Sequence, residues 1–198
     1  MTLHREQNPP PARIAIRCPR CGDQAVFAFG TFAYVDDRPA RVALSKLPFC
    51  QAFTTTLEGA KRFVIVFHEL LAPSGTAPPF EGTSLAKVGW DRDGARPRSR
   101  EGINLGAFAC GVCLTTKSHA LTWPSDAFYV CAVRGVTVWS WTREECAALR
   151  NYVAASADER ATTQERLGLR QLPPDLLEGD SRDDLVKRLD ASLDAGEF

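Results

Sequence analysis

The sequence lacks the segments that would place it in a membrane or a secretory pathway. The chain has 198 residues, and its longest strongly apolar run, Phe63 to Phe67, is far too short to span a bilayer. Residues 1–12 are polar and proline-rich, without the long apolar stretch of a secretory signal. We therefore expect a cytoplasmic protein with no membrane partner.

The familiar catalytic motifs are also missing. There is no Gly-x-x-x-x-Gly-Lys phosphate loop, no Gly-x-Ser-x-Gly elbow and no zinc-deaminase pattern. His68 and Glu69 are not followed by the second histidine that a His-Glu-x-x-His zinc site requires. With only three histidines and no paired-carboxylate signature, the chain is expected to be non-enzymatic.

Basic and acidic side chains are equal in number over the whole chain but are unevenly distributed along it. The 24 basic and 24 acidic side chains cancel. Residues 1–125 hold 15 basic and 10 acidic side chains, a net +5, and residues 126–198 hold 9 and 14, a net −5. Such a division could present a basic face to an anionic partner, although chance segregation of solvated charge gives the same count.

Seven cysteines are present, and four of them form two Cys-x-x-Cys pairs. An odd total with paired spacing argues against a disulfide framework. Two residues between thiolates let a tight turn aim both sulfurs at one ion, and four thiolates give Zn²⁺ a closed tetrahedral shell. We predict a structural Zn²⁺ held by Cys18, Cys21, Cys110 and Cys113. The alternatives are unmetallated turns, a thioredoxin-like dithiol at the start of a helix, and an iron–sulfur cluster.

The first pair, in the form Cys-Pro-x-Cys-Gly at residues 18–22, lies between strand-like segments at residues 13–17 and 24–34. It resembles the knuckle of a zinc ribbon, and the pair at residues 110–113 looks like the matching knuckle. The usual ribbon has its pairs closer together, whereas residues 22–109, 88 in all, separate these two. The resemblance implies a local fold and a metal, and zinc ribbons often serve nucleic-acid machinery.

The remaining cysteines and histidines are weaker candidates for a site. His119 is a possible replacement ligand, and His68 is expected to lie at the end of a strand. Cys131 is predicted in a strand and Cys146 on the apolar face of a helix, where small buried thiols are common. No signal determines the role of Cys50.

A segment rich in Gly, Pro, Ser and charge spans residues 72–102 and predicts a long loop. Arginine can grip phosphates and an exposed indole can stack on a base, so this segment is the best nucleic-acid candidate. A solvated loop whose tryptophan packs back on the domain would explain the same residues. The candidate contacts are Trp90, Arg92, Arg96, Arg98 and Arg100.

The second half of the chain predicts a hairpin followed by helices. Two apolar runs flank Arg134-Gly135, which suits a two-residue hairpin turn within residues 127–141. Thr142, Ser156 and Ser181 each precede an acidic residue three positions on and are expected to cap helices. The last helix carries an apolar stripe that either packs on its own domain or docks on a partner. That stripe consists of Leu185, Val186, Leu189 and Leu193.

Together these patterns predict an α+β fold with an elaborated antiparallel sheet around a zinc-ribbon-like four-cysteine site. We expect a flexible leader at residues 1–12, a domain at 13–155 with the loop insertion at about 72–102, and an acidic helical extension at 156–198. The expected function is a zinc-binding protein associated with nucleic acid or regulation. The alternative is a protein-interaction or assembly module whose acidic C-terminal helices dock a partner.

Overall fold

The computed structural model describes residues 11–57, 59–76, 104–163 and 172–196. The chain divides into two compact units: Met1–Ala25 with Trp123–Phe198, and Val26–Thr122. Both helices and antiparallel strands are present, in agreement with the predicted α+β class. No helix in the described part of the chain is long and apolar enough to cross a membrane.

Nine strands and four α-helices make up the described fold. The strands are β1 Arg13–Arg17, β2 Gln24–Phe29, β3 Thr31–Tyr34, β4 Cys50–Leu57, β5 Ala60–Phe67, β6 Leu105–Cys110, β7 Thr116–Ala120, β8 Tyr129–Val133 and β9 Val136–Ser140. The helices are α1 Arg38–Leu44, α2 Arg143–Ala154, α3 Ala157–Thr163 and α4 Gly179–Asp194. Hydrogen bonds join the strands into three sheets, with orders β1-β2-β6-β7, β3-β5-β4 and β8-β9.

In the unit Val26–Thr122, β5 pairs with β3 on one side and β4 on the other. The density of Val, Ile and Phe predicts a buried strand over residues 61–71. The second half of β5 is indeed apolar and buried, but the strand ends at Phe67 and a single 3-10 turn, Glu69–Leu71, follows. The core beneath this sheet consists of Ala33, Val35, Leu44, Ile65 and Phe67.

The run Asp36-Asp37-Arg38-Pro39 is typical of a turn between strands, but in the structure it leads into helix α1. Asp37 instead accepts a hydrogen bond from the Ala40 amide at 2.8 Å, and Pro39 lies in the first turn of α1. An acidic residue followed closely by proline occurs at helix starts as well as in turns. In both structures the side-chain oxygen can accept a hydrogen bond from a main-chain amide that has no other partner. For residues 46–60 the sequence pattern favours no single structure, and in the structure most of them form strand β4.

We call the unit formed by Met1–Ala25 and Trp123–Phe198 the C-terminal unit. Its predicted hairpin is confirmed. Val133 lies opposite Val136 and Cys131 opposite Val138, the expected register. The turn residues Arg134 and Gly135 have φ of 49° and 76°, which is the left-handed pair that a type I′ turn needs.

Two of the three predicted helix caps are confirmed and one is wrong. Thr142 accepts a hydrogen bond from the Glu145 amide at 3.3 Å, and Ser156 accepts one from the Glu159 amide at 3.3 Å. The prediction for Ser181 is wrong: α4 begins earlier, at Gly179, and Ser181 is buried inside the helix. Extending the helix lets Arg182 donate to the Val153 carbonyl at 2.9 Å, at the end of α2.

The apolar stripe of α4 packs in its own unit. Leu185 and Leu189 are buried against β8 and α2, and an Arg150–Asp190 ion pair at 2.7 Å joins the two helices. Cys146, Leu149, Tyr152 and Val153 form the predicted inner face of α2. The stripe is therefore part of the core of this unit.

His68 follows β5 and is buried, as expected for a histidine at a strand end. Its Nε2 lies 3.3 Å from Gln51 Oε1, and its Nδ1 has no hydrogen-bond partner among the described residues. Burial lowers the pKa of the ring below its ordinary value of 6.5. Because a charged imidazole would lose its hydration here, the folded protein holds His68 neutral.

This burial predicts a stability loss in mild acid. The unfolded chain takes up a proton at His68 before the folded protein does, so the contribution of His68 is complete above pH 6.5 and falls as pH decreases below it. For one proton the slope cannot exceed about 1.4 kcal/mol per pH unit. Urea unfolding of wild type and His68→Gln between pH 5 and 8 should show a shallower slope in the variant. Identical slopes would contradict the prediction, since acid effects elsewhere are common to both proteins.

Candidate metal centre

The first cysteine pair lies in the turn that joins β1 to β2. The Cys18 amide donates to the Asp23 carbonyl at 2.7 Å, and the Gly22 amide donates to the Cys18 carbonyl at 2.9 Å. The Arg20 amide lies 3.4 Å from Cys18 Sγ, so main-chain donors turn towards the sulfur as expected. Gly22 has φ of 84°, a conformation that glycine adopts at no steric cost.

The second pair lies in the turn that joins β6 to β7, and it repeats this arrangement. The Cys110 amide donates to the Thr115 carbonyl at 2.9 Å, as Cys18 does to Asp23. The residue after the second cysteine is again left-handed, but here it is Leu114, with φ of 53°. The sequence suggests that Gly111 relieves crowding in this turn, whereas the left-handed position is Leu114.

The two turns bring all four cysteine sulfurs together. The Sγ atoms of Cys18, Cys21, Cys110 and Cys113 lie within 4.8 Å of one another. Four sulfurs at about 2.3 Å from one tetrahedral ion would lie about 3.8 Å apart, so the observed cluster needs to contract only slightly to hold a metal. Cys18 and Cys110 are buried, Cys113 is half-buried and Cys21 is exposed. The four residues that spacing predicts thus form one cluster compatible with a four-cysteine metal site.

The competing interpretations fit the geometry less well. A thioredoxin-like dithiol stands at the start of a helix, whereas strands β2 and β7 follow the two pairs. His119 does not belong to the sulfur cluster; its ring packs edge-on to Phe27 and Phe108, at centroid distances of 6.3 and 6.0 Å.

The other three cysteines have the properties of core thiols. Burial raises the pKa of Cys50 and of Cys131 to about 11, and that of Cys146 to about 12. A thiol with so high a pKa is protonated at neutral pH and is a poor nucleophile or ligand. Cys131 and Cys146 also border the core of the C-terminal unit.

The arginine-rich candidate lies outside the described residues. Trp90, Arg92, Arg96, Arg98 and Arg100 all fall in residues 77–103, so their role stays a prediction. Near the cysteines, the exposed side chains include Arg17, Arg20 and Lys117, the basic groups expected to offset tetrathiolate charge.

Comparisons with known proteins add no family. The chain matches no protein-family model, no curated protein and no solved structure. The functional interpretation therefore depends on the chemistry of the chain itself.

Leu114 is energetically unfavourable in its exposure and in its backbone conformation, and the sequence reveals neither. It is 85% exposed, and its left-handed backbone costs a side chain with a Cβ about 1–2 kcal/mol. A leucine that is both strained and solvated points to a requirement other than stability.

Replacing Leu114 by glycine should therefore leave the free energy of unfolding unchanged or raise it by up to about 1 kcal/mol. The relieved backbone strain is at least as large as the cost of the greater conformational entropy of glycine in the unfolded chain. Val112 provides a matched control, since it is 60% exposed in the same turn and does not have a positive φ. Val112→Gly should lose about 0.5–1 kcal/mol. Urea unfolding of the metal-loaded proteins measures both values, and equal losses in the two variants would contradict the strain at Leu114.

Proposed function

We propose that the chain is a non-enzymatic zinc protein that associates with nucleic acid, in which one structural Zn²⁺ is held by Cys18, Cys21, Cys110 and Cys113. The observation that supports this most directly is the convergence of the four sulfurs. Thiolate ligands favour zinc over hard cations, and a closed shell of four cysteines leaves no position for a reactive water. The metal would therefore stabilise the fold and take no part in a reaction.

A metal at this point would contribute strongly to folding. It would close a loop from Cys18 to Cys113, and the closure restricts the unfolded chain much as a disulfide does. Binding energy at a site that the unfolded chain does not preform is also folding energy. The cysteines of the described chain form no assigned disulfide, which fits a reducing compartment, so we place the protein in the cytoplasm.

Loss of one cluster cysteine should remove metal and stability together. Cys18→Ser exchanges a buried thiolate for a hydroxyl that binds zinc poorly, so the purified variant should hold well under one zinc per chain and unfold at lower temperature. Cys50→Ser is the matched control, because Cys50 does not belong to the cluster and should retain wild-type metal content. Elemental analysis and thermal unfolding provide the two readouts. A stable, metal-free wild-type protein would overturn the zinc proposal.

The nucleic-acid part of the proposal is supported by charge. Residues 1–125 carry a net +5, and Arg17, Arg20 and Lys117 are exposed around the two cysteine turns. Four of the 15 basic side chains in residues 1–125 are the arginines of the segment at 92–100, whose guanidinium groups bind phosphate oxygens in a bidentate manner. The association of zinc ribbons with nucleic-acid machinery is an analogy of fold and adds only a modest weight.

Binding to a single-stranded oligonucleotide should weaken steeply with added salt. The triple variant Arg96→Glu, Arg98→Glu and Arg100→Glu should lose most of the binding and reduce the slope of log K against log salt by about 2. Fluorescence anisotropy at 50 and 200 mM salt provides the measurement.

A second triple variant separates local contacts from total charge. Lys46→Glu, Lys61→Glu and Lys187→Glu change the net charge by the same amount at three exposed positions. It should weaken binding only slightly. Equal losses in both variants would show that total charge, and no particular surface, governs the interaction.

A protein-interaction function is the second candidate, and exposed apolar side chains favour it. Val112 is 60% and Leu114 85% exposed on the second cysteine turn. The apolar stripe of α4 is already buried in its own unit, so partner docking by the C-terminal helices would have to use their charged faces. Salt distinguishes the candidates, because contacts through Val112 and Leu114 would persist at salt concentrations that release a nucleic acid.

A further inference from the structure

Three of the four tryptophans of the chain form a cluster within the C-terminal unit. Trp123 stacks on Trp141 with ring centroids 4.0 Å apart and planes 24° from parallel. Trp139 stands edge-on to both, at 5.2 Å from Trp123 and 4.8 Å from Trp141. Trp139 and Trp141 are 6% and 9% exposed, while Trp123 is half-buried and reaches the surface.

Two of these indoles have a buried donor without an acceptor. The Nε1–H groups of Trp123 and Trp141 are buried and have no hydrogen-bond partner among the described residues. An indole N–H can only donate, so it needs an oxygen or nitrogen with a lone pair. Buried polar groups in proteins nearly always have such a partner, and a missing one calls for an explanation.

The neighbouring side chains do not supply the acceptor. Ser140 is the last residue of β9 and follows Trp139, so its side chain points to the opposite face of the hairpin from Trp139. Glu145 Oε2 accepts from the Trp141 main-chain amide at 3.0 Å. An acceptor for the two indoles therefore has to come from outside the described chain.

We propose that Trp123, Trp139 and Trp141 form a binding site for a planar, uncharged heterocycle with carbonyl acceptors, of the chemical class of a pyrimidine base. Indole rings offer flat apolar surfaces on which such a ring stacks, and two N–H groups select a ligand that brings lone pairs. The Glu145 carboxylate at the Trp141 amide disfavours an anionic ligand by repulsion. The site uses neither the cysteine cluster nor the arginine-rich segment, so it is independent of the proposed zinc and phosphate contacts.

Nuclear magnetic resonance of ¹⁵N-labelled full-length protein tests the site directly. The chain has four tryptophans and therefore four indole Nε1–H signals, which Trp→Phe variants assign. Uridine, which carries no phosphate, should move the signals of Trp123 and Trp141 saturably. Ribose should move none of them. If uridine at millimolar concentration leaves both signals unmoved, the proposal is overturned and internal water is the partner of the two N–H groups.

A ring-retaining substitution tests the hydrogen bond itself. Trp141→Phe keeps an aromatic ring but removes the donor, and uridine should bind about tenfold more weakly, the usual effect of losing one hydrogen bond. The matched control is Tyr34→Phe, which removes a ring donor in the unit Val26–Thr122 and should bind uridine as wild type does. The wild-type titration needs no substitution, so it decides the question even if Trp141→Phe fails to fold. Unchanged affinity in a folded Trp141→Phe protein would contradict the assignment of Trp141 as a donor.

Discussion

Four sulfurs within 4.8 Å of one another set the main constraint on this structure. They come from turns that are 88 residues apart in the chain. A divalent metal bound here would offset the charge of thiolate ligands, and exposed Arg17, Arg20 and Lys117 would reduce the remaining negative charge. The turns at residues 18–23 and 110–115 share a hydrogen-bond pattern because each must direct two sulfurs to one point.

Much of this could be predicted from sequence where the signal is local. Cysteine spacing predicts the cluster, Arg134-Gly135 predicts the hairpin turn, and the pairing of Thr142 with Glu145 predicts the start of α2. Where two structures share one local signal, sequence alone was insufficient. Asp37 with Pro39 suits either a turn or a helix start, and the surrounding core, which buries Leu44, decides for the helix.

Ser181 shows how a distant contact overrides a local cap. A serine with an acidic residue three positions later stabilises a helix start through at most two hydrogen bonds. Starting at Gly179 instead buries Ser181 and places Arg182 against the Val153 carbonyl, the end of another helix. The tryptophan cluster also depends on a contact that is distant in the sequence. Alternation along the second run of the predicted hairpin places Trp139 and Trp141 on one face. The unsatisfied N–H groups become evident only when Trp123 packs beside them.

If the proposed nucleic-acid function holds, the acidic C-terminal segment would orient a polyanion more readily than it would compete with one. Asp190 pairs with Arg150 and Asp184 pairs with Arg188, at 2.7 and 2.9 Å, all within residues 126–198. Ion pairs remove equal numbers of each sign, so they leave the net −5 of this segment unchanged. Carboxylates held by their own arginines are less available to the arginines at residues 92–100, because a new pair requires an existing pair to break. The unbalanced charge would still repel phosphate over about 10 Å, and under the proposed function this repulsion would favour approach of a nucleic acid to the basic residues of the first part of the chain.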